Sequence, residues 1–128
     1  MPISLNNPDG VHRPGSRYSH AALVEGAKRR LVVSGQVGLT PEGRLDHDGE
    51  AQIGQALANL GAILSAHGMA PRNVAKVTVF LTDRELIPLW RDARDAFFDG
   101  HPPASTLLLV AGLADPRFQV EVEAEAAD

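Results

Sequence analysis

Cysteine is absent from this 128-residue chain, and no apolar run approaches the roughly 20 residues that a membrane-spanning helix needs. Without cysteine, the chain has no disulfides, thiolate metal ligands or cysteine nucleophile. Its first residues also lack the apolar stretch of a secretory signal. We therefore expect a cytoplasmic protein with no membrane partner and, at this length, a single folded domain.

Basic charge is scarce as well. The net charge is −4, and the basic cluster at Lys28, Arg29 and Arg30 has no interleaved aromatic residues. Proteins that bind nucleic acid normally carry a basic stripe or patch, so we expect no nucleic-acid partner and interpret the cluster as a solvated hairpin turn. The five histidines do not follow a metal-ligand spacing, and we predict no metal site.

Hydrophobic patterning predicts five strands after an irregular, proline-containing N-terminal arm at 1–17. Two strands, at about 19–24 and 30–35, are joined by a turn at 25–28. A buried strand follows at 74–81, and two more close the single domain of residues 18–128, at about 105–110 and 118–126.

Two helices lie between these strands. The first has an apolar face repeating at i, i+3 and i+4, begins after Asp48 as its cap, and ends at Gly68. The second begins near Pro88 and ends at Gly100. Its predicted buried face is Leu89, Trp90, Ala93, Ala96 and Phe97. The order β-β-α-β-α-β-β predicts an α+β fold, a mixed sheet with both helices packed on one face.

The strand at 105–110 is apolar on both faces, which is typical of a strand buried on both sides. Two helices can cover only one side of a sheet. We therefore expect Leu107 and Leu109 to lie on the face that the helices leave uncovered, where another copy of the chain covers them. Alternatively, the loop at 37–48 or the N-terminal arm folds over this face.

Several segments, in order and at consistent spacing, resemble the RidA/YjgF family, also called L-PSP endoribonuclease-like. They are Tyr18-Ser19-His20-Ala21, Val32-Val33-Ser34-Gly35-Gln36-Val37, the run from Ala75 to Asp83, Ala96-Phe97-Phe98, His101-Pro102-Pro103-Ala104 and Val120-Glu121-Val122-Glu123-Ala124. The resemblance implies a chorismate-mutase-like fold, a homotrimer, and ligand clefts between its subunits.

The resemblance also implies hydrolytic deamination of a small reactive imine or enamine without metal or organic cofactor. Glu123 matches the glutamate that positions water, and Tyr18 and Ser34 match cleft-lining residues. From the residues alone, Glu123 could equally belong to a solvated face shared with Glu121 and Glu125. Tyr18 could merely pack on its strand, and Ser34 could be an ordinary strand-end serine.

The sequence departs from the family where an arginine normally binds the substrate carboxylate, because Ser105 stands there. Arg91 and, less directly, Arg117 are candidate replacements, although Arg91 could instead pair with Asp95 one helical turn away. The departure predicts a substrate other than the usual short 2-imino acids. The alternative is a non-catalytic trimer of the same family that binds small metabolites or proteins.

Overall fold

The computed structural model describes residues 2–128 and, within them, contains six β-strands, two α-helices and two short 3-10 turns. The elements in chain order are β1 Ile3–Asn6, β2 Ala21–Val24, β3 Arg30–Gln36, α1 Gly49–Ala66, a 3-10 turn at Pro71–Asn73, β4 Val74–Leu81, a second 3-10 turn at Arg84–Leu86, α2 Ile87–Phe98, β5 Ala104–Leu109 and β6 Val120–Ala127.

Four of the strands form one mixed sheet in the order β3-β6-β4-β5. Its β4–β5 pair is parallel, and β6 runs antiparallel to both β3 and β4. Helices α1 and α2 share a single hydrophobic core with this sheet. The predicted α+β fold, with two helices on one face of a mixed sheet, is therefore confirmed.

The first two strands form a separate antiparallel pair, with Ile3 opposite Val24 and Asn6 opposite Ala21. The prediction of an irregular arm is therefore wrong for β1. The predicted hairpin between the strands at 19–24 and 30–35, which correspond to β2 and β3, is also wrong. The cause is pairing between segments that are distant in the sequence. β2 pairs with β1, and β3 pairs with β6 in the four-stranded sheet. This pair of strands packs against the four-stranded sheet through a small hydrophobic cluster of Ile3, Ala75 and Ala127.

Helix α1 has the limits that its sequence predicts. The Ala51 N–H donates to the Asp48 carboxylate at 3.2 Å, which satisfies one of the unpaired donors of the first turn. Gly68 follows the helix with φ +71°, a left-handed conformation that glycine adopts without steric cost. Between these ends, Ile53, Leu60 and Leu64 are fully buried.

The two faces of the four-stranded sheet differ sharply. On the face that the helices cover, here called the covered face, Val77, Val79 and Leu81 of β4 are fully buried. Their partners in β5 are Ser105, Leu107 and Leu109, in that order. Because paired residues point to the same side of a sheet, these three lie on the covered face.

The prediction that Leu107 and Leu109 face away from the helices is therefore wrong. The alternation of side chains in the sequence shows which residues of β5 share a face. Which of the two faces of the sheet that is depends on their pairing with the buried residues of β4. Leu107 in fact packs against the main core.

The opposite face, here called the open face, is covered by neither helix. It carries Leu108 and Val32, whose exposed fractions are 41% and 64%. Neither the arm nor the loop at 37–48 buries them. Other positions of the open face carry polar or half-buried side chains, among them Ser34, Lys76, Thr78, Phe80, Thr106, Glu121, Glu123 and Glu125.

Candidate functional site

Three carboxylates stand in a row on the open face, because Glu121, Glu123 and Glu125 occupy alternate positions of β6. Glu125 is engaged in an ion pair with Arg30 at 2.5 Å. Glu123 is exposed and lines a cleft of about 210 Å³, here called the glutamate cleft. Its other lining residues are Val32, Val33, Lys76, Thr78, Ala124 and Glu125.

Glu121 lies against the segment Ser34-Gly35. Its carboxylate occupies the space above Gly35, where a Cβ atom would overlap Oε2. The pairing of β3 with β6 is irregular between Val33 and Gln36, and the Gln36 side-chain amide donates to the Ser34 carbonyl at 3.1 Å. The structure therefore brings Glu121 onto Gly35, whereas Glu123 lines the glutamate cleft with Val32 and Val33.

The strand pattern did not single out Glu121, because the three alternating glutamates of β6 are equivalent in the sequence. The available signal was Gly35. A glycine inside a strand often marks the close approach of another group.

Tyr18 lies elsewhere, in a cavity of about 300 Å³ between the N-terminal arm and the end of α2, here called the arm–helix cavity. The neighbouring Ser19 is anchored to the start of β5, since its hydroxyl donates to the Pro102 carbonyl at 2.6 Å and its N–H donates to Pro103. The cavity is lined by Arg17, Tyr18, Arg94, Asp95, Phe98, Gly100, His101 and Pro102.

Arg94 is the unexpected member of this cavity. The buried residues of α2 are Trp90, Arg94 and Phe98, at i, i+4 and i+8. Of the predicted face, Leu89, Ala93 and Phe97 pack half-buried against the core, and only Ala96 is exposed. Arg94 has an exposed fraction of only 4%. Its guanidinium pairs with the carboxylate of the adjacent Asp95 at 3.0 Å.

The two arginines predicted as substitutes for the missing guanidinium are placed differently. Arg91 is exposed and lines neither the arm–helix cavity nor the glutamate cleft. The suggested partner of Arg91, Asp95, pairs with Arg94 and Arg17. Ser105, the residue at the usual arginine position, is half-buried on the covered face beside Val77.

Arg117 forms a fork with Asp115. Its Nη2 and Nε donate to the two carboxylate oxygens at 2.8 and 3.1 Å, and its backbone N–H donates at 2.9 Å. These hydrogen bonds stabilise the ionised carboxylate and lower the pKa of Asp115 to about 2. The same side-chain hydrogen bonds raise the pKa of Arg117. Its guanidinium is therefore already engaged.

Across residues 2–128, no three histidine, aspartate or glutamate side chains come together in a way that could hold a metal ion. No helix within the same residues is long and apolar enough to cross a membrane.

The residues expected to share one site are divided within a single chain. Tyr18 belongs to the arm–helix cavity, whereas Glu123 belongs to the glutamate cleft, and the two have no lining residue in common. Ser34 and Glu121 are together on the open face. Within one chain, Tyr18 and the carboxylates of β6 therefore line no common cleft.

The family model described as "Endoribonuclease L-PSP" matches residues 11–128, nearly the whole chain. The chain belongs to the RidA/YjgF family. This family includes a curated relative from Rattus norvegicus, 2-iminobutanoate/2-iminopropanoate deaminase, which is 40% identical over 109 residues. That match covers 84% of this chain and 77% of the relative.

Solved structures of the RidA/YjgF family share the fold. The Rid-family protein YyfB from Yersinia pestis, a protein of unknown function, superposes with a TM-score of 0.91 at 29% identity, over 100% of both chains. TdcF from E. coli with bound serine superposes with a TM-score of 0.73 at 28% identity, over 92% of this chain and 91% of that one. The chorismate-mutase-like fold implied by the resemblance is confirmed.

Proposed function

We propose that this protein is a hydrolase that deaminates a small reactive imine or enamine in clefts between the subunits of a homotrimer. The observation that carries the proposal is the Glu121 carboxylate lying against Ser34-Gly35 on a sheet face that no helix covers. The relatives named as imine deaminases support the reaction class.

The reaction needs a water molecule and a group that orients it. An enamine first becomes its imine by proton transfer. Water then adds to the imine carbon, forming a C–O bond, while the nitrogen gains a proton. The resulting carbinolamine breaks its C–N bond, so that ammonia leaves and a carbonyl forms. A carboxylate that accepts a proton from water during the addition acts as a general base.

Geometry favours Glu121 over Glu123 as that base. Glu121 lies against Gly35, the chain neighbour of Ser34, whose hydroxyl could bind the polar end of the substrate. Glu123, the residue expected from the resemblance, is exposed between Lys76 and Thr78. The proposal therefore gives the water-orienting role to Glu121 and keeps Glu123 as the alternative.

The substrate class follows from Ser105. Without an arginine at this position, a short 2-imino acid loses the fork that would bind its carboxylate, worth about 1.5–3 kcal/mol per charged hydrogen bond. Arg117 is engaged by Asp115, and Arg91 lines neither cavity. We therefore propose that the substrate is larger than 2-iminopropanoate or lacks a carboxylate beside the imine.

The alternative function is a non-catalytic trimer that binds small metabolites or proteins. The same observation, serine in place of the carboxylate-binding arginine, favours it. The serine bound in the TdcF structure shows that a relative of this fold can hold a small amino acid. Turnover of an imine distinguishes the hydrolase from the non-catalytic binding protein.

The test is a coupled assay that generates imines of different sizes in situ and measures ammonia release. The imine-hydrolase proposal predicts turnover of at least one imine larger than 2-iminopropanoate, and at least about a hundredfold loss in Glu121→Gln. Glu42→Gln, an exposed loop substitution, is the matched control. If Glu123→Gln loses activity while Glu121→Gln keeps it, the base is Glu123. No turnover of any imine would favour the binding protein.

Position 105 provides a second test of the substrate class. Ser105 is only half-buried and lies on the edge strand β5, so an arginine there can extend out of the sheet. Ser105→Arg should raise the hydrolysis of 2-iminopropanoate at least about tenfold, because it restores the fork. Ser105→Lys is the matched control, since lysine supplies charge without a planar fork. Rapid hydrolysis of 2-iminopropanoate by the unaltered protein would contradict the proposed substrate class.

We also propose that nucleic acid is not a partner, despite the ribonuclease name of the matching family model. The net charge is −4, and the open face carries three glutamates. Binding of RNA at physiological salt should therefore be undetectable by filter binding. A salt-dependent, submicromolar complex would contradict this. A location in the cytoplasm and independence of metals likewise stay predictions.

A further inference from the structure

We propose that the arm–helix cavity binds the carboxylate of a small apolar acid, and that the Arg94 guanidinium is the group that holds it. The cavity also contains Tyr18, which the proposed shared cleft uses, whereas Arg94 has no part in that proposal. Binding of an acid here does not depend on any deaminase activity.

The burial of Arg94 is the first observation. It stands in the middle of the buried stripe of α2, between Trp90 and Phe98, with an exposed fraction of 4%. Burial removes the water that solvates a guanidinium, which is costly unless its charge and its N–H groups find partners. An apolar residue could fill this helical position at no such cost.

The hydrogen bonds of Arg94 are incomplete. Nε donates to Asp95 Oδ1 at 3.0 Å, and Nη1 donates to the Ser16 hydroxyl at 3.4 Å, near the upper limit for a hydrogen bond. Nη2 also lies 3.0 Å from Asp95 Oδ1, but its direction does not form a hydrogen bond. An arginine has five N–H donors, so one on Nη1 and the two on the buried Nη2 remain without an acceptor. An acceptor that reaches them removes the cost of leaving a buried donor unpaired.

The charges around the cavity suit a single negative charge. Arg94 and Arg17 both face Asp95, with Arg17 Nε 3.9 Å from Asp95 Oδ2. Two cations and one anion leave one positive charge among these three side chains. A carboxylate can bind an arginine fork through two parallel hydrogen bonds, and its negative charge balances the excess.

The remaining walls indicate what the carboxylate is attached to. Tyr18, Phe98 and Pro102 present aromatic and aliphatic surface. A volume of about 300 Å³ lies at the lower end of the range of small-molecule sites. The chemical class is therefore an aromatic or aliphatic monocarboxylate rather than a phosphate or a dicarboxylate.

The experiment uses 4-fluorobenzoate as the probe and ¹⁹F NMR as the readout, with 4-fluorobenzamide as the matched neutral compound. The unaltered protein should bind the benzoate saturably and at least about tenfold more tightly than the benzamide, since only the benzoate offers a charged acceptor. In a ¹H–¹⁵N spectrum, the benzoate and not the benzamide should shift the Arg94 Nε–H resonance.

Substitutions then locate the cation. Arg94→Gln together with Asp95→Asn removes the ion pair without leaving a buried charge, and should weaken benzoate binding about tenfold or more. Arg94→Lys should weaken it less, because the charge remains and the fork is lost. Arg84→Gln, an exposed substitution before α2, is the control and should bind as the unaltered protein does.

Three results would overturn the proposal. They are the absence of saturable benzoate binding, equal affinity for benzoate and benzamide, and full affinity in the Arg94→Gln/Asp95→Asn protein. If that double variant does not fold, the shift of the Arg94 Nε–H resonance in the unaltered protein decides the question by itself.

Discussion

The covered and open faces of the four-stranded sheet are built from the same strands, but their chemistry differs. Under the helices, β4 places only apolar side chains, and Val77, Val79 and Leu81 are fully buried. On the open face, the same strand places Lys76, Thr78 and the half-buried Phe80. Packing is therefore concentrated on one face, and ionisable groups on the other.

This difference shows where a site can form. Along β4 the covered face is filled by its own chain, whereas at the β5 edge Ser105 is half-buried and Leu109 is 39% exposed. The open face combines exposed apolar groups, such as Leu108, with the carboxylates of β6, a mixture that monomers rarely leave uncovered. A further copy of the chain on this face would bury the apolar groups and enclose the carboxylates.

The largest expected effect comes from truncating matched leucines on the two faces. Leu81→Ala, on the covered face, should lower the free energy of unfolding by about 2–5 kcal/mol, because it leaves a cavity in a filled core. Leu108→Ala, on the open face, should cost less, and its cost should vary with protein concentration if the face is an interface. Urea unfolding at two protein concentrations measures both. Equal, concentration-independent losses would contradict the distinction between the faces.

The next effect concerns assembly. Leu108→Glu should dissociate the proposed trimer, because it buries a carboxylate without a partner in a subunit interface. Leu23→Glu, at an exposed leucine of β2, should leave the trimer intact. Sedimentation equilibrium gives the particle mass of each variant. A trimer that survives Leu108→Glu, or an unaltered protein that is a monomer at micromolar concentration, would remove the open face from the interface.

The smallest expected effect is on the pH dependence of stability, and it comes from a surface ion pair that belongs to neither face of the sheet. Because its pKa is lowered to about 2 from 3.8, Asp115 stabilises the folded chain above about pH 3.8, and this contribution is lost as the pH falls towards 2. Asp115→Asn should flatten this part of the profile of Tm against pH. Both residues of the pair are on the surface, so the change in Tm at neutral pH should be small. A profile that is unchanged in Asp115→Asn would assign the acid sensitivity to other groups.

Local signals predicted much of the fold. The capping carboxylate of Asp48, the left-handed glycine at Gly68 and the compact apolar run at 74–81 each determine structure through neighbours in the sequence, and their elements have the predicted limits within a few residues. The family fold followed from ordered motifs along most of the chain.

Features that depend on distant contacts were not predictable in the same way. The pairing of β1 with β2 joins two four-residue strands across the arm, and neither strand has a strong pattern of its own. The face of Leu107 depends on its register with Val79. Arg94 was not among the predicted buried residues of α2, because an arginine carries no apolar signal, although its i±4 spacing from Trp90 and Phe98 places it on their stripe.

The most direct test of the central claim, that the site is shared between copies of the chain, mixes two variants that are inactive alone. Tyr18→Ala removes the residue of the arm–helix cavity, and Glu121→Gln removes the carboxylate of the open face. The two variants are unfolded together and refolded in equal amounts, and imine hydrolysis is measured with a substrate that the unaltered protein turns over.

If each site takes Tyr18 from one subunit and Glu121 from its neighbour, about a quarter of the interfaces in randomly assembled trimers contain both residues. Refolding the mixture should then recover about a quarter of the activity of the unaltered protein. If instead the activity of the refolded mixture is only the mean of the activities of the two inactive variants, each site lies within a single chain. The proposal of a cleft shared between subunits is then wrong.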